Sequence, residues 1–138
     1  MIPVDQTKLG FGSGNCGAAC IASILEISIE DIPNFHGDDP KDADTYWSNI
    51  RKWCENKPFI LVSFYIPNEY DAKEILKDCW CIASGLSPRG TEEWHRHAVV
   101  WRNGEIVHDP HPSRLGLKEI DMYGVFIWKN PVKTLDKH

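Results

Sequence analysis

The run from Gly14 to Leu25, GNCGAACIASIL, constrains this chain more than any other stretch. From Asn15 to Ile27 nearly every turn of a helix carries Ala, Cys, Ile or Leu on all sides, with only Gly17, Ser23 and Glu26 interrupting. A helix that is apolar all round has to be buried, so the rest of the chain must build its layers around this one. The loop before it, Gly10 to Gly14, is glycine-rich, and Asn15 is a suitable N-cap. Cys16 then falls in the first turn, where free N–H groups and the helix dipole favour negative charge and lower a thiol pKa from its usual value of about 8.5. Most cysteines act as small hydrophobes in a core, a role that suits Cys20 one turn further on.

Downstream, Ser28-Ile29-Glu30-Asp31 has the form of a capping box, which Pro33 limits to a turn or short helix. Between Asp42 and Glu55, Trp47, Ile50, Trp53 and Cys54 recur at helical spacing and predict an amphipathic helix. Phe59 to Ile66 reads as a strand buried on both faces or nearly so, and Tyr70 to Lys77 as a short helix. Cys79 to Ala83, His95 to Arg102, Glu105 to Asp109 and Tyr123 to Lys129 are further strands, with Asn103-Gly104 marking a hairpin. Helices followed by a mainly antiparallel sheet give an α+β layout. At 138 residues the chain is expected to be a single domain, 1–138, with Thr134 to His138 a frayed tail.

A formal net charge of -5 with no basic stripe argues against nucleic acid as the main partner. Neither a secretory signal nor an 18-residue apolar run is visible, so no membrane partner is expected and the chain reads as cytoplasmic. The five cysteines, at 16, 20, 54, 79 and 81, are an odd set without C-x-x-C pairs, which suits reduced thiols. No cofactor is implied.

A catalytic thiol needs a base, a group to orient that base, and donors for the oxyanion. His97 and Asp109 are the candidates for the first two, on neighbouring strands of one hairpin. Side chains alternate faces along a strand, so the loop length decides whether they meet. A two-residue loop, Asn103-Gly104, places residue 97 opposite 110 and turns Asp109 to the wrong face. A three-residue loop with Gly104 left-handed places 97 opposite 109, and this is the loop the catalytic reading predicts. Gln6 is the side-chain candidate for the oxyanion, with the Cys16 N–H as second donor.

Together, Gln6, the Asn15-Cys16-Gly17-Ala18-Ala19-Cys20 helix start, His97-Ala98-Val99-Val100 and His108-Asp109-Pro110 resemble the papain-like cysteine peptidase superfamily, most closely the small peptidase C39-like proteins familiar from bacteria and phages. The resemblance implies a papain-like fold. It also implies a nucleophile at Cys16, a base at His97, an orienting carboxylate at Asp109 and an oxyanion donor at Gln6, acting on a protein or peptide substrate. Asn15 departs from the Asp usual before the family cysteine.

Two other readings stand beside this one. His95, His97, His108, Asp109 and His111 could serve a metal-dependent hydrolase, since His95 and His97 share a face in a regular strand. Alternatively, the fold could be a binding module with idle machinery. Gly10 to Gly14, His36 to Asp44 and Gly85 to Trp94 are the loops expected to shape a cleft, with Trp94 as a candidate wall. The acidic stretch Asp38-Asp39-Pro40-Lys41-Asp42 hints at a basic substrate segment but reads more simply as a solvated loop.

Overall fold

The structure is a computed structural model, and it describes residues 1–130. The tail expected from Thr134 to His138 lies outside the described residues. Helix α1 spans Cys16–Leu25, and its residues Ala18 to Ser23 are buried, as an all-apolar surface requires. A 3-10 turn, Ile29–Asp31, comes next, capped by the Ser28 hydroxyl. Helix α2, Ala43–Cys54, is capped by Asp42 and turns Ile50 and Cys54 inward. Strand β1 is Phe59–Phe64, helix α3 is Ala72–Ile75, and strands β2 to β5 are Cys81–Leu86, Arg96–Arg102, Glu105–His108 and Glu119–Trp128.

The strands form one antiparallel sheet in the order β1-β5-β2-β3-β4. Helix α1 packs on β3 and β2, and α2 on β1. This architecture is α+β, with helices on a five-stranded antiparallel sheet. Alternation along β2 and β3 supplies a core on each face. Ile82, Ala98 and Val100 meet α1 and α2, while Cys81, Ala83, Val99 and Trp101 meet Leu76 and Tyr123 on the far side. The strand buried on both faces is β3, where 97 to 101 are all buried. By contrast β1 is an edge strand with Ile60 exposed, because only one neighbour covers it. Among the described residues no helix is long and apolar enough to cross a membrane, and all five cysteines are free.

The N-terminal segment is stitched to α1 and to the residues after β4. Ser23, fully buried in α1, accepts a hydrogen bond from the Val4 N–H (2.9 Å), and its hydroxyl donates to the Ala19 carbonyl (2.8 Å). His108 Nε2 bonds the Val4 carbonyl (3.0 Å), and the Gln6 N–H donates to the Pro110 carbonyl (3.0 Å). Residues 1 to 6 thus run in a fixed path to the start of α1.

Candidate active site

Cys16 is half-buried at the first position of α1 and lines a cavity of about 440 Å³ between the helices and the sheet. Asn15 flanks the helix but does not cap it with its side chain. Its Oδ1 instead accepts from the Thr7 and Lys8 N–H groups (3.1 and 3.0 Å), and its Nδ2 donates to Thr7 Oγ1 (2.8 Å). An amide with the chemistry to serve the helix end thus holds the loop carrying Gln6. The first-turn N–H groups therefore remain free for the sulfur.

The backbone N–H groups of Ala98 and Gly17 face the thiol and favour its ionised form. Burial nevertheless pushes the Cys16 pKa above the ordinary thiol value, and these donors only moderate the rise. The expectation of a lowered thiol pKa is thus overturned, because removing the sulfur from water outweighs the helix terminus. Cys20 is completely buried, and burial pushes its thiol higher still.

His97 and Asp109 are both buried, and His97 Nε2 lies 2.7 Å from Asp109 Oδ1. Two more hydrogen bonds fix the carboxylate, from the His111 N–H to Oδ1 (2.9 Å) and from the Gly116 N–H to Oδ2 (2.7 Å). Burial alone would raise the Asp109 pKa, but the bonds from His97, His111 and Gly116 overcome it and hold the group ionised. His97 shows the opposite balance: burial lowers its pKa despite the neighbouring carboxylate, which keeps the ring neutral. With Nε2 committed to Asp109, Nδ1 is the nitrogen left to exchange a proton.

The route by which these two side chains meet differs from the expected one. Arg102 pairs with Glu105, so the loop has two residues, and Asn103 and Gly104 both take positive φ (51° and 87°). The register then shifts: Trp101 pairs with Ile106 but Val100 with His108, leaving Val107 as an extra residue in a β-bulge. Bringing His97 and Asp109 to one face requires one residue out of step. The hairpin supplies it within the strand and not in the loop, and the bulge re-aims His108 and Asp109 beyond it.

Gln6 also lines the cavity. Its Nε2 donates to the Lys8 carbonyl (3.0 Å), and its Oε1 is buried without a partner. One amide hydrogen thus remains available for a ligand oxygen. Asp109 stands behind His97, outside the lining, while Cys16, His97 and Gln6 share it. Trp94 forms part of the wall, with Phe11 edge-on to it at 6.3 Å between ring centroids.

Several cavity residues have no role in the cysteine-hydrolase reading from sequence, where His111 figures only as a candidate metal ligand. Tyr46 approaches the helix start so closely that a Cβ on Gly17 would lie 2.4 Å from its hydroxyl. Tyr46, Ile50 and Trp53 share a helical stripe, so that signal is present in the sequence. Arg89 and His111 lie in irregular loops, where no periodicity marks them. His111 Nδ1 bonds Ser113 Oγ (2.9 Å) and accepts from the Ser113 N–H (3.0 Å), and Arg89 Nη1 donates to the same hydroxyl (3.0 Å).

The other histidines are dispersed. Strand β3 begins at Arg96, and His95 turns back to accept from the Thr91 and Glu92 N–H groups while stacking on Phe11. His108 is engaged by Val4 and by Asp5, 3.1 Å away. Among the described residues no three His, Cys, Asp or Glu side chains gather as a metal site. The pairing expected of His95 and His97 fails because the chain leaves extended geometry between them.

Fold and cavity together define an α+β protein in which a thiol at a buried helix start and a carboxylate-anchored imidazole line one cavity. Comparison with protein-family models, with curated proteins and with solved structures finds no match to this chain.

Proposed function

We propose that this protein is a thiol hydrolase of the papain-like, peptidase C39-like kind, cleaving a peptide, isopeptide or related amide bond. The observation that carries this reading is the buried His97–Asp109 pair, 2.7 Å apart, whose imidazole shares a cavity with Cys16. Thiol and imidazole are both neutral at rest, so His97 takes the Cys16 proton as the sulfur attacks the carbonyl carbon. The oxyanion is met by the Gln6 amide and the Cys16 N–H. Collapse of the tetrahedral adduct expels the amine, which receives the proton from His97 and leaves a thioester on Cys16. Water, deprotonated by His97, then attacks the thioester and releases the acid and the thiol. Asp109 holds the imidazole in one tautomer throughout.

Alkylation near neutral pH, combined with peptide mapping and an assay on a mixed peptide-amide library, tests this. Cys16 is modified before Cys20, turnover disappears with that modification, and Cys16→Ala abolishes it. In Cys20→Ala the chemistry survives while stability falls by about 1–2 kcal/mol, the cost of a small core void. Preferential modification of Cys20, or turnover persisting in Cys16→Ala, would remove the proposal.

A further inference from the structure

The protein is acidic overall, with a formal net charge of -5, yet the cavity beside Cys16 is not. Of the charged side chains lining it, Lys41, Arg89 and Arg96 are basic and Asp42 is acidic. The Asp42 carboxylate is occupied as the α2 cap, accepting from the Thr45 N–H (3.0 Å) and hydroxyl (2.6 Å). Arg96 is neutralised by a bidentate pairing with Asp121. Lys41 sits 5.4 Å over the Trp94 ring. The acidic stretch from Asp38 to Asp42 thus gives the cavity a lysine and one occupied carboxylate, so its hint of a basic substrate fails at the site.

Arg89 is the exception among these cations. No carboxylate pairs with it among the described residues, and its one side-chain hydrogen bond goes to Ser113 Oγ. It is only part-exposed, and its loop is pinned by the Arg89 N–H bonding Ser87 Oγ (3.2 Å). Arg89 lines the same cavity as Cys16, His97 and His111, and it shares the Ser113 hydroxyl with His111 Nδ1, which sets the guanidinium at the cavity wall. Among the described residues four of its five N–H donors are without a partner, and such a planar fork in a part-apolar cavity is suited to a carboxylate.

We propose that the amide brought to Cys16 carries a carboxylate close to its scissile bond, and that Arg89 binds it. The inference rests on the thiol-hydrolase reading and narrows its substrate to amides at the acid end of a peptide or in an acylated amino acid. The opposite sign of cavity and whole protein selects such a substrate locally, since a distant anion meets a repelling surface and a seated one meets Arg89.

Two alkylating reagents of nearly equal size, anionic iodoacetate and neutral iodoacetamide, read this out at the sulfur. Cys79 is exposed and serves as the reference within the same sample. The iodoacetate-to-iodoacetamide rate ratio at Cys16 exceeds that at Cys79 by about tenfold or more, the worth of a hydrogen bond to a charged group. In Arg89→Gln it falls to within about twofold of the reference, whereas Arg89→Lys keeps part of the preference. Equal ratios at Cys16 and Cys79, or an unchanged ratio in Arg89→Gln, overturn the proposal while leaving a reactive Cys16 in place. Inertness of Cys16 to both reagents, with Cys79 reacting, overturns the thiol-hydrolase reading and this inference with it.

Discussion

The two ends of the β3–β4 hairpin obey different rules. At the turn, Arg102 pairs with Glu105 across Asn103-Gly104, and two left-handed residues close the loop as that dipeptide prefers. Asn103 also accepts from the Asp78 N–H (2.7 Å), tying the turn to the end of α3's loop. At the other end the pairing slips at Val107, and Asp109 comes onto the same face as His97. The turn is set by local backbone preference. The slip is held by partners outside the hairpin: Val4 and Asp5 on His108, Gln6 on Pro110, and Arg114, which bonds the Asp109 carbonyl and is itself paired with the distant Asp5. A hairpin can therefore be closed by its own sequence and aimed by the rest of the molecule.

The most disruptive way to probe that contrast is a single glycine inserted between His108 and Asp109. It moves the carboxylate to the opposite face, and amide hydrolysis should fall by about 10²–10⁴, the range for losing a positioned proton-transfer group; circular dichroism would verify that the sheet persists. Activity at wild-type level would show that strand parity does not govern the pair. The pH profile comes next. Because burial holds His97 below the ordinary histidine value of about 6.5, the neutral base persists to lower pH than a free imidazole, and activity is lost only as pH falls through that lowered value. Stability has the same sign: the unfolded chain binds this proton more readily, so the contribution is complete above about pH 6.5 and declines below it. Chemical denaturation across pH 5–8 measures it, and a flat profile would contradict a neutral buried ring.

At the turn end, Gly104→Ala places a Cβ on a residue with φ of 87°. It should cost about 1–2 kcal/mol in a denaturant melt without changing the rate, because only local backbone is strained. The smallest effect is expected where intuition suggests a large one. Deleting Val107 removes the bulge, keeps His108 opposite Val100 and leaves Asp109 on the face of His97, so activity should stay within about tenfold of wild type. Loss comparable to the glycine insertion would mean that the bulge supplies geometry beyond parity.

Much of the architecture is legible because it is written in local patterns. The apolar run 16–25 has to be a buried helix, the spacing of Ile50, Trp53 and Cys54 gives α2 its inner face, and Asn103-Gly104 gives the hairpin. Misjudged features depend on neighbours the sequence does not display. Strand β1 has the apolar content of a central strand yet lies at the edge, since strand order is a tertiary outcome. Asn15 has the chemistry of a cap, but Thr7 and Lys8 bring it better-placed partners.

For the site, residue types and their order along the chain single out Cys16, His97, Asp109 and Gln6, because each chemical role admits few side chains. Only the tertiary structure decided how His97 and Asp109 meet, through a bulge in place of a longer loop. The thiol pKa depends on how far the fold removes the sulfur from water, which no stretch around Cys16 reveals. Arg89 is equally out of reach, and the sequence offers His111 only as a metal ligand, for a charge in an irregular loop gains meaning only from what the fold sets beside it. Local sequence determines what each segment prefers; long-range packing decides which faces, charges and solvent each reacting group receives.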